Sequence, residues 1–348
     1  MTASRLLRTA LALVGAASTA SSLAAQTAAQ TVAQAAARME QQAALAPQPL
    51  AREFRARAAQ ALRERYPELS SKFLDTPLER PAVVRSARPA APASPEVAAI
   101  STRMRTMRAL PTDRDRARLV IELVRDIRAL PAAPQRLGLI RSLSNLATEG
   151  DLGKEALGGV AHTLAAALRE PEAGASGDDY IGLAKLVRYE HLDVPSDAPL
   201  DAAIALLALR EQIQQENGFS LTGMDGKTYT LAGLKGRIVL LNFWATWCPP
   251  CRKEMPDMEK LYRAYERQGL TVIAVSDEER ATVEQFLAKN PYSFPVALDP
   301  GRKVNAAFSV EGIPKSFIFD REGRLAAQAI DMRTESQFME LLKLAGLE

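Results

Sequence analysis

The stretch FWATWCPPCRKEMP, residues 243–256, contains both cysteines and both tryptophans of a 348-residue chain. It continues the apolar run RIVLLNF, residues 237–243, whose composition is typical of a strand buried on both faces. Pro249 suits the first position of a helix, where its missing N–H needs no partner, and Pro250 stays within the same first turn. The stretch therefore predicts a strand followed by a helix, with Cys248 as the helix cap.

The spacing of Cys248 and Cys251 at this junction predicts redox chemistry. The positive end of a helix dipole stabilises a thiolate, and cysteines at helix N-termini have pKa values of about 3.5–7.5 instead of about 8.5. We expect Cys248 to attack a disulfide of the substrate, and Cys251, one turn later, to resolve the mixed disulfide. The product is a Cys248–Cys251 disulfide, whose closure the tight loop favours.

Two other uses of the cysteine pair stay open, and a zinc site is disfavoured. A structural disulfide is one, although a bridge over two residues restricts little of the unfolded chain. A zinc site needs about four ligands, and the two histidines, His162 and His191, lie in a region that predicts a separate domain. A copper ion could use both thiolates with Met255 or Met258 as a soft third ligand. We favour redox chemistry and expect neither a cofactor nor a resident metal ion.

The residues around this stretch, 217–348, predict a mixed α/β domain. FSLTGMDGKTYTL, residues 219–231, indicates two short strands joined by an Asp225-Gly226 turn. A second buried strand is predicted at LTVIAVS, residues 270–276. Further strands and helices are predicted to alternate along the rest of the domain: FPVAL (294–298), PKSFIFD (314–320) and GRLAAQAI (323–330) as strands, and about 279–289, 301–308 and 334 onward as helices.

The first residues, 1–24, predict a cleavable signal peptide. Arg5 and Arg8 provide a positive start, and an apolar run with small residues after it follows. This run is too short to span a bilayer. We therefore expect the mature protein to be exported to a periplasm, where disulfides persist.

Two further segments separate the signal peptide from the α/β domain. Residues 25–96 predict a low-complexity leader, an amphipathic helix and a Pro-rich linker. Residues 97–216 predict an all-helical domain, a small bundle or a short solenoid, that binds a protein partner or dimerises the chain. The region 51–150 is rich in arginine, whereas the whole chain has a net charge of +3. Few aromatic residues interleave with these arginines, so we expect solvated helix faces and no nucleic-acid partner.

FWATWCPPCRKEMP resembles the active-site stretch of TlpA/ResA-type thioredoxin-fold proteins, which are exported bacterial thiol-disulfide oxidoreductases. EGIPKSFIFD, residues 311–320, is similar to a second signature of that family, a loop in which a cis-proline faces the cysteine pair. The resemblance covers about 217–348 and implies a thioredoxin-like fold for this part of the chain. It also implies that Pro314 is the cis-proline and that the backbone of Ile313 pairs with an extended substrate.

The resemblance implies further site residues. Glu254 occupies the position of a glutamate that lies near the cysteines in ResA-like proteins, and spacing places it on the same helix face as Cys251. A carboxylate there could accept the proton of Cys251; the alternative is a solvated surface glutamate. Asn242, which cannot titrate, stands where thioredoxin has a buried aspartate. We expect the substrate to contact three residues beside the cysteines: Trp247, Pro249 and Pro250.

These features predict a thiol-disulfide oxidoreductase that reduces disulfides of periplasmic proteins. DsbA-like oxidants have a histidine between the cysteines, where this chain has proline. The resemblance implies a membrane electron donor, and targets such as apocytochrome or copper-site cysteines. Alternatives are an oxidant, a disulfide isomerase, a copper-handling protein, or a scaffold that uses the domain for binding. Peroxidase activity is disfavoured because peroxiredoxins need Thr or Ser three residues before the reactive cysteine, and Ala245 is at that position.

Overall fold

A computed structural model describes residues 20–73, 94–131, 133–148 and 150–348. The described residues form two compact units; the first ends at Ile213, and the second contains Gln214–Glu348 together with the short segment Thr148–Asp151. No helix among these residues is both long enough and apolar enough to cross a membrane. The predicted signal peptide lies outside the described residues up to position 19, as does most of the predicted Pro-rich linker.

The first unit is built from helices, as predicted. Helices α5, α6 and α7 pack on one another, and α8 packs on α7. Side-chain caps mark where these helices begin: Thr112 Oγ1 accepts a 3.1 Å hydrogen bond from the N–H of Asp115, and Ser176 and Asp179 form a capping box. Nine α-helices precede the first strand in the described part of the chain: α1 (Ala20–Ala43), α2 (Gln48–Leu62), α3 (Pro67–Ser71), α4 (Pro95–Thr106), α5 (Asp113–Ala129), α6 (Ala133–Ala147), α7 (Gly153–Leu168), α8 (Gly177–Tyr189) and α9 (Ala198–Asn217).

The helical unit begins before the expected limits of 97–216. Helix α1 packs on α2, and α2 packs on α8. Ala33 and Ala36 of α1 are fully buried, and Glu53 of α2 accepts a 2.6 Å hydrogen bond from the backbone N–H of Gly177. The expected low-complexity leader is therefore, from residue 28 onward, a packed helix. Alanine explains the difference, because it favours helix strongly but gives an apolar face little contrast in the sequence.

The second unit, Gln214–Glu348, contains one mixed sheet. The strand order is β2-β1-β5-β4-β3-β6-β7, in which β3, β4 and β5 are parallel and the other neighbouring pairs antiparallel. This topology confirms the predicted α/β thioredoxin-like fold. Its strands are β1 (Ser220–Gly223), β2 (Thr228–Thr230), β3 (Ile238–Phe243), β4 (Leu270–Ser276), β5 (Val296–Leu298), β6 (Lys315–Phe319) and β7 (Leu325–Ala329). Its helices are α10 (Pro249–Tyr265), α11 (Arg280–Lys289), α12 (Lys303–Ala307) and α13 (Glu335–Leu344).

Strands β3 and β4 are buried along their whole length because both faces of the sheet are covered. Successive side chains of a strand point to opposite faces. Leu240 packs in one hydrophobic cluster with Met255 of α10, whereas Leu241 packs in another with Phe308. The same alternation places Asn242 on the face that α10 covers, where its amide meets the helix.

Candidate active site

The two cysteines lie where the chain passes from β3 into α10. They are joined by a disulfide, and their Cα atoms are 5.3 Å apart. Cys248 is the N-cap residue of α10, and its Sγ accepts a 3.3 Å hydrogen bond from the backbone N–H of Cys251. The helix N-terminus thus directs a backbone donor at the sulfur that we expect to become the nucleophilic thiolate after reduction.

The two prolines occupy the first turn of α10, where the sequence predicted them. Pro249 is exposed and Pro250 is half-buried. The cysteines themselves face solvent little, with an exposed fraction of 2% for Cys248 and 0% for Cys251. Both sulfurs are thus shielded from solvent in the oxidised protein.

The loop before β6 faces the cysteine pair. Its Ile313–Pro314 peptide bond is cis. The carbonyl oxygen of Ile313 lies 3.9 Å from Cys248 Sγ, although the two residues are 65 positions apart in the sequence. The structure therefore brings together the two signatures on which the family resemblance rests.

The two tryptophans have opposite environments. Trp247, directly before Cys248, is 68% exposed. Trp244 is 1% exposed, and its ring centroid lies 5.2 Å from that of Phe286 on α11. Trp244 thus belongs to the hydrophobic core, whereas Trp247 presents an apolar surface beside the reactive sulfur.

A cavity of about 240 Å³ lies beside Trp247 and Ile313, the residues that directly precede Cys248 and Pro314. Its walls include both tryptophans and the apolar side chains of Val310 and Ile313. Arg302 and Asp277, which form an ion pair, also line it. Its lining combines apolar side chains with a few charged groups.

Glu254 is buried, not solvated. It is 1% exposed and lies one turn after Cys251 on the same face of α10. Its Oε2 accepts a 3.0 Å hydrogen bond from the backbone N–H of Arg333, and its Oε1 accepts a 2.7 Å bond from Asn242 Nδ2. Burial raises the pKa of Glu254 to about 8, although these two hydrogen bonds favour the charged form and oppose that rise.

Sequence reasoning missed three contributors to the site. Ser316 Oγ accepts a 3.0 Å hydrogen bond from Asn242 Nδ2, and the N–H of Arg333 reaches Glu254 as described. Glu278 accepts 2.7 Å hydrogen bonds from both the backbone N–H and the hydroxyl of Thr246, two residues before Cys248. Of the three, only Glu278 could have been found from the sequence. Glu278 follows β4 closely and Thr246 follows β3 closely, and two parallel neighbouring strands end at the same edge of a sheet.

The described residues contain no group of three or more His, Cys, Asp or Glu that could hold a metal ion. His162 lies in the first unit, on α7, where its Nδ1 is 2.8 Å from the carbonyl oxygen of Gly158. Met255 and Met258, the soft ligands of the copper alternative, are fully buried in the hydrophobic cluster under α10.

The second unit is similar to known redox proteins. Residues 214–328 match the model of the AhpC/TSA family. Thiol-disulfide oxidoreductase ResA of Bacillus thuringiensis (strain Al Hakam) is 41% identical over 126 residues, which are 36% of this chain and 73% of the relative. ResA of Bacillus subtilis (strain 168) is 35% identical over 144 residues, or 40% of this chain and 80% of the relative. A crystal structure of a thiol:disulfide interchange protein of the thioredoxin family from Chlorobium tepidum is 32% identical, with a TM-score of 0.34, and covers 37% of this chain and 92% of its own.

Proposed function

Because this chain belongs, through its C-terminal unit, to the family of ResA thiol-disulfide oxidoreductases, we propose that it is an exported reductant of protein disulfides. The observation that carries the proposal is the position of Cys248 Sγ. This sulfur caps α10, lies 3.3 Å from the backbone nitrogen of Cys251, and lies 3.9 Å from the carbonyl oxygen of Ile313. One sulfur thus has a donor that stabilises its thiolate and a backbone acceptor beside which a substrate strand can lie.

The reaction begins with the reduced dithiol, which carries two electrons. The Cys248 thiolate attacks one sulfur of the substrate disulfide, and the other sulfur leaves as a thiolate. Cys251 then attacks Cys248 Sγ in the mixed disulfide and displaces the second substrate sulfur. The internal disulfide has closed, and the substrate has gained two electrons and two protons. An extended substrate segment along the backbone of Ile313 would hold the attacked sulfur in line.

Glu254 supports this cycle as a proton store. With a pKa raised by burial to about 8, its carboxyl group is mostly protonated at neutral pH in the oxidised protein. When an electron donor opens the disulfide, Cys251 leaves as a thiolate and can take the proton of Glu254. The carboxylate that remains can take the proton back when Cys251 attacks the mixed disulfide.

The direction of electron flow rests on the residues between the cysteines. Pro249 and Pro250 have no side-chain donor that would stabilise the Cys248 thiolate beyond what the helix N-terminus provides. A less stabilised thiolate makes the dithiol the better reductant. Thioredoxin and the strong oxidant DsbA, for comparison, differ by about 150 mV.

The compartment and the partners belong to the same proposal. The signal-like residues 1–24 support export to the periplasm. A reductant in an oxidising compartment needs an electron supply, which we assign to a membrane donor. Its substrates are periplasmic proteins with disulfides, such as apocytochromes. The helical unit provides the surface for a protein partner or for dimerisation.

The redox equilibrium with glutathione tests the proposal directly. We expect a midpoint potential near that of thioredoxin, about −270 mV. Mass-shift alkylation counts the free thiols, and tryptophan fluorescence follows the same transition, because Trp247 is next to Cys248. A potential near −120 mV would make the protein an oxidant or isomerase, and no reversible exchange at all would refute the redox function of the pair.

Trp247→Ala should weaken the reduction of protein substrates without changing the potential. The exposed indole offers a large apolar contact beside Cys248 but is not part of the disulfide that sets the potential. We expect kcat/KM for a protein disulfide to fall about tenfold, through KM. Trp247→Phe is the matched control and should retain most of the activity. An equal loss with a small-molecule disulfide would contradict a role in substrate binding.

A further inference from the structure

Asn242, on β3, forms hydrogen bonds both to Ser316 on β6 and to the buried carboxyl group of Glu254 on α10. Its side chain is 0% exposed, and its Nδ2 donates to Glu254 Oε1 at 2.7 Å and to Ser316 Oγ at 3.0 Å. Asn242 and Ser316 are directly paired in the antiparallel register of β3 and β6. Two neighbouring strands therefore fix this amide on the face that α10 covers.

The orientation of the amide is informative. Asn242 Oδ1 is buried and has no hydrogen-bond partner among the described residues, and a buried acceptor without a partner costs about 1–3 kcal/mol. Turning the amide over would place Oδ1 against Glu254 Oε1, where an ionised carboxylate would repel it. This orientation keeps a donor on the carboxyl group, and the hydrogen bond becomes charge-assisted when Glu254 loses its proton.

Some of the influences on Glu254 favour its ionised form, and others oppose it. Burial disfavours its ionised form most strongly. The backbone N–H and the guanidinium of Arg333 favour ionisation, and Asp331 opposes it. Cys251 is on the same helix, one turn earlier. Asn242 is therefore the side-chain donor that offsets part of the cost of burial.

We propose that Asn242, supported by Ser316, is a positioning residue for the exchange reaction, because it holds the Glu254 carboxyl group of α10 against β3 and favours its ionised form. This inference rests on the proposed function of the cysteine pair. In the resolving step the proton leaves Cys251 Sγ for the carboxylate of Glu254, while the sulfur attacks Cys248. Without the donor of Asn242 the carboxyl group keeps its proton to a higher pH, so a smaller fraction of Glu254 is ionised and able to accept a proton near neutrality.

The first test is the titration of Glu254 in the oxidised full-length protein, in which the cysteines cannot titrate. Carbon-13 NMR of the glutamate carboxyl groups, with Glu254→Gln to assign the resonance, should give a midpoint near 8 for the wild type. In Asn242→Leu we expect a midpoint higher by about 1 or more, which is a tenfold change in proton affinity. Ser316→Ala should shift it in the same direction by less. Midpoints unchanged in both variants would overturn the proposal.

The second test separates positioning from a general structural role. The pH profile of protein-disulfide reduction should move to higher pH in Asn242→Leu, and this shift should vanish when Glu254→Gln is also present. An equal shift with and without Glu254 would overturn the inference. An inactive wild type would instead refute the proposed function. If Asn242→Leu does not fold, Ser316→Ala decides the question through the same titration and the same double variant.

Discussion

Replacing Cys248 by serine should abolish the catalysed reduction of protein disulfides, with a loss of at least about 10³-fold. A serine hydroxyl is not ionised near neutral pH, so the donor from the N–H of Cys251 would have no anion to stabilise. The fold should remain intact, because serine is itself a favourable N-cap residue. A coupled assay that follows reduction of a protein disulfide measures the loss, and circular dichroism checks the fold.

Cys251→Ser is the matched variant, and it should behave differently. Cys248 can still attack the substrate, but no thiol is present to resolve the product. We expect a stable mixed disulfide with the substrate, visible as an adduct on a non-reducing gel and lost when dithiothreitol is added. Trapping by Cys248→Ser instead would reverse the assigned roles. Trapping by neither variant would show that the pair does not exchange with protein disulfides.

The second unit was predictable because its strands carry strong local signals. Strands β3 and β4 lie between two covered faces, so their sequences are continuous apolar runs, and the Asp225-Gly226 turn identifies the β1–β2 hairpin. The pairing of β1 with β5 was not predictable. It joins segments more than 70 positions apart, and neither strand contains a residue that specifies its neighbour.

The helical unit was predictable only in part, because its first helix lacks a strong local signal. Amphipathic spacing predicted its helices from residue 97 onward, because large apolar residues recur there at intervals of three and four. Helix α1 was expected as a leader, since alanine and glutamine give an apolar face too little contrast. Its burial depends on α2, and that contact is a property of the tertiary structure.

The active site was predicted in part. Local sequence was enough to place Cys248 at the cap of a helix, since the prolines fit only a first turn there. Helical spacing also placed Glu254 on the face of Cys251. Its burial was not predictable, because exposed Arg252 and Lys253 precede it directly. The backbone N–H of Arg333 carries no signal in any sequence pattern, since every residue except proline has one.

The buried state of Glu254 leads to a large effect on stability. In the folded protein the pKa of the Glu254 carboxyl group is about 8, whereas in the unfolded chain it has its ordinary value of 4.5. Between these values the unfolded state binds fewer protons, so a rise in pH favours unfolding. The stabilising contribution is complete below pH 4.5 and is lost as the pH rises through 8. The difference in pKa corresponds to about 3–5 kcal/mol of unfolding free energy.

Glu254→Gln should remove this dependence, because glutamine retains an acceptor for the N–H of Arg333 and has no proton to lose. We expect the variant to be more stable than the wild type above pH 8 by several kcal/mol. Urea unfolding of the oxidised proteins, followed by tryptophan fluorescence from pH 5 to 9, reports on the second unit alone, since both tryptophans lie in it. Glu284→Gln, on an exposed part of α11, is the control and should leave the wild-type slope unchanged. If the unfolding free energies of the wild type and Glu254→Gln changed with pH at the same slope, Glu254 would already be ionised in the folded protein. Glu254 could then not act as a proton store.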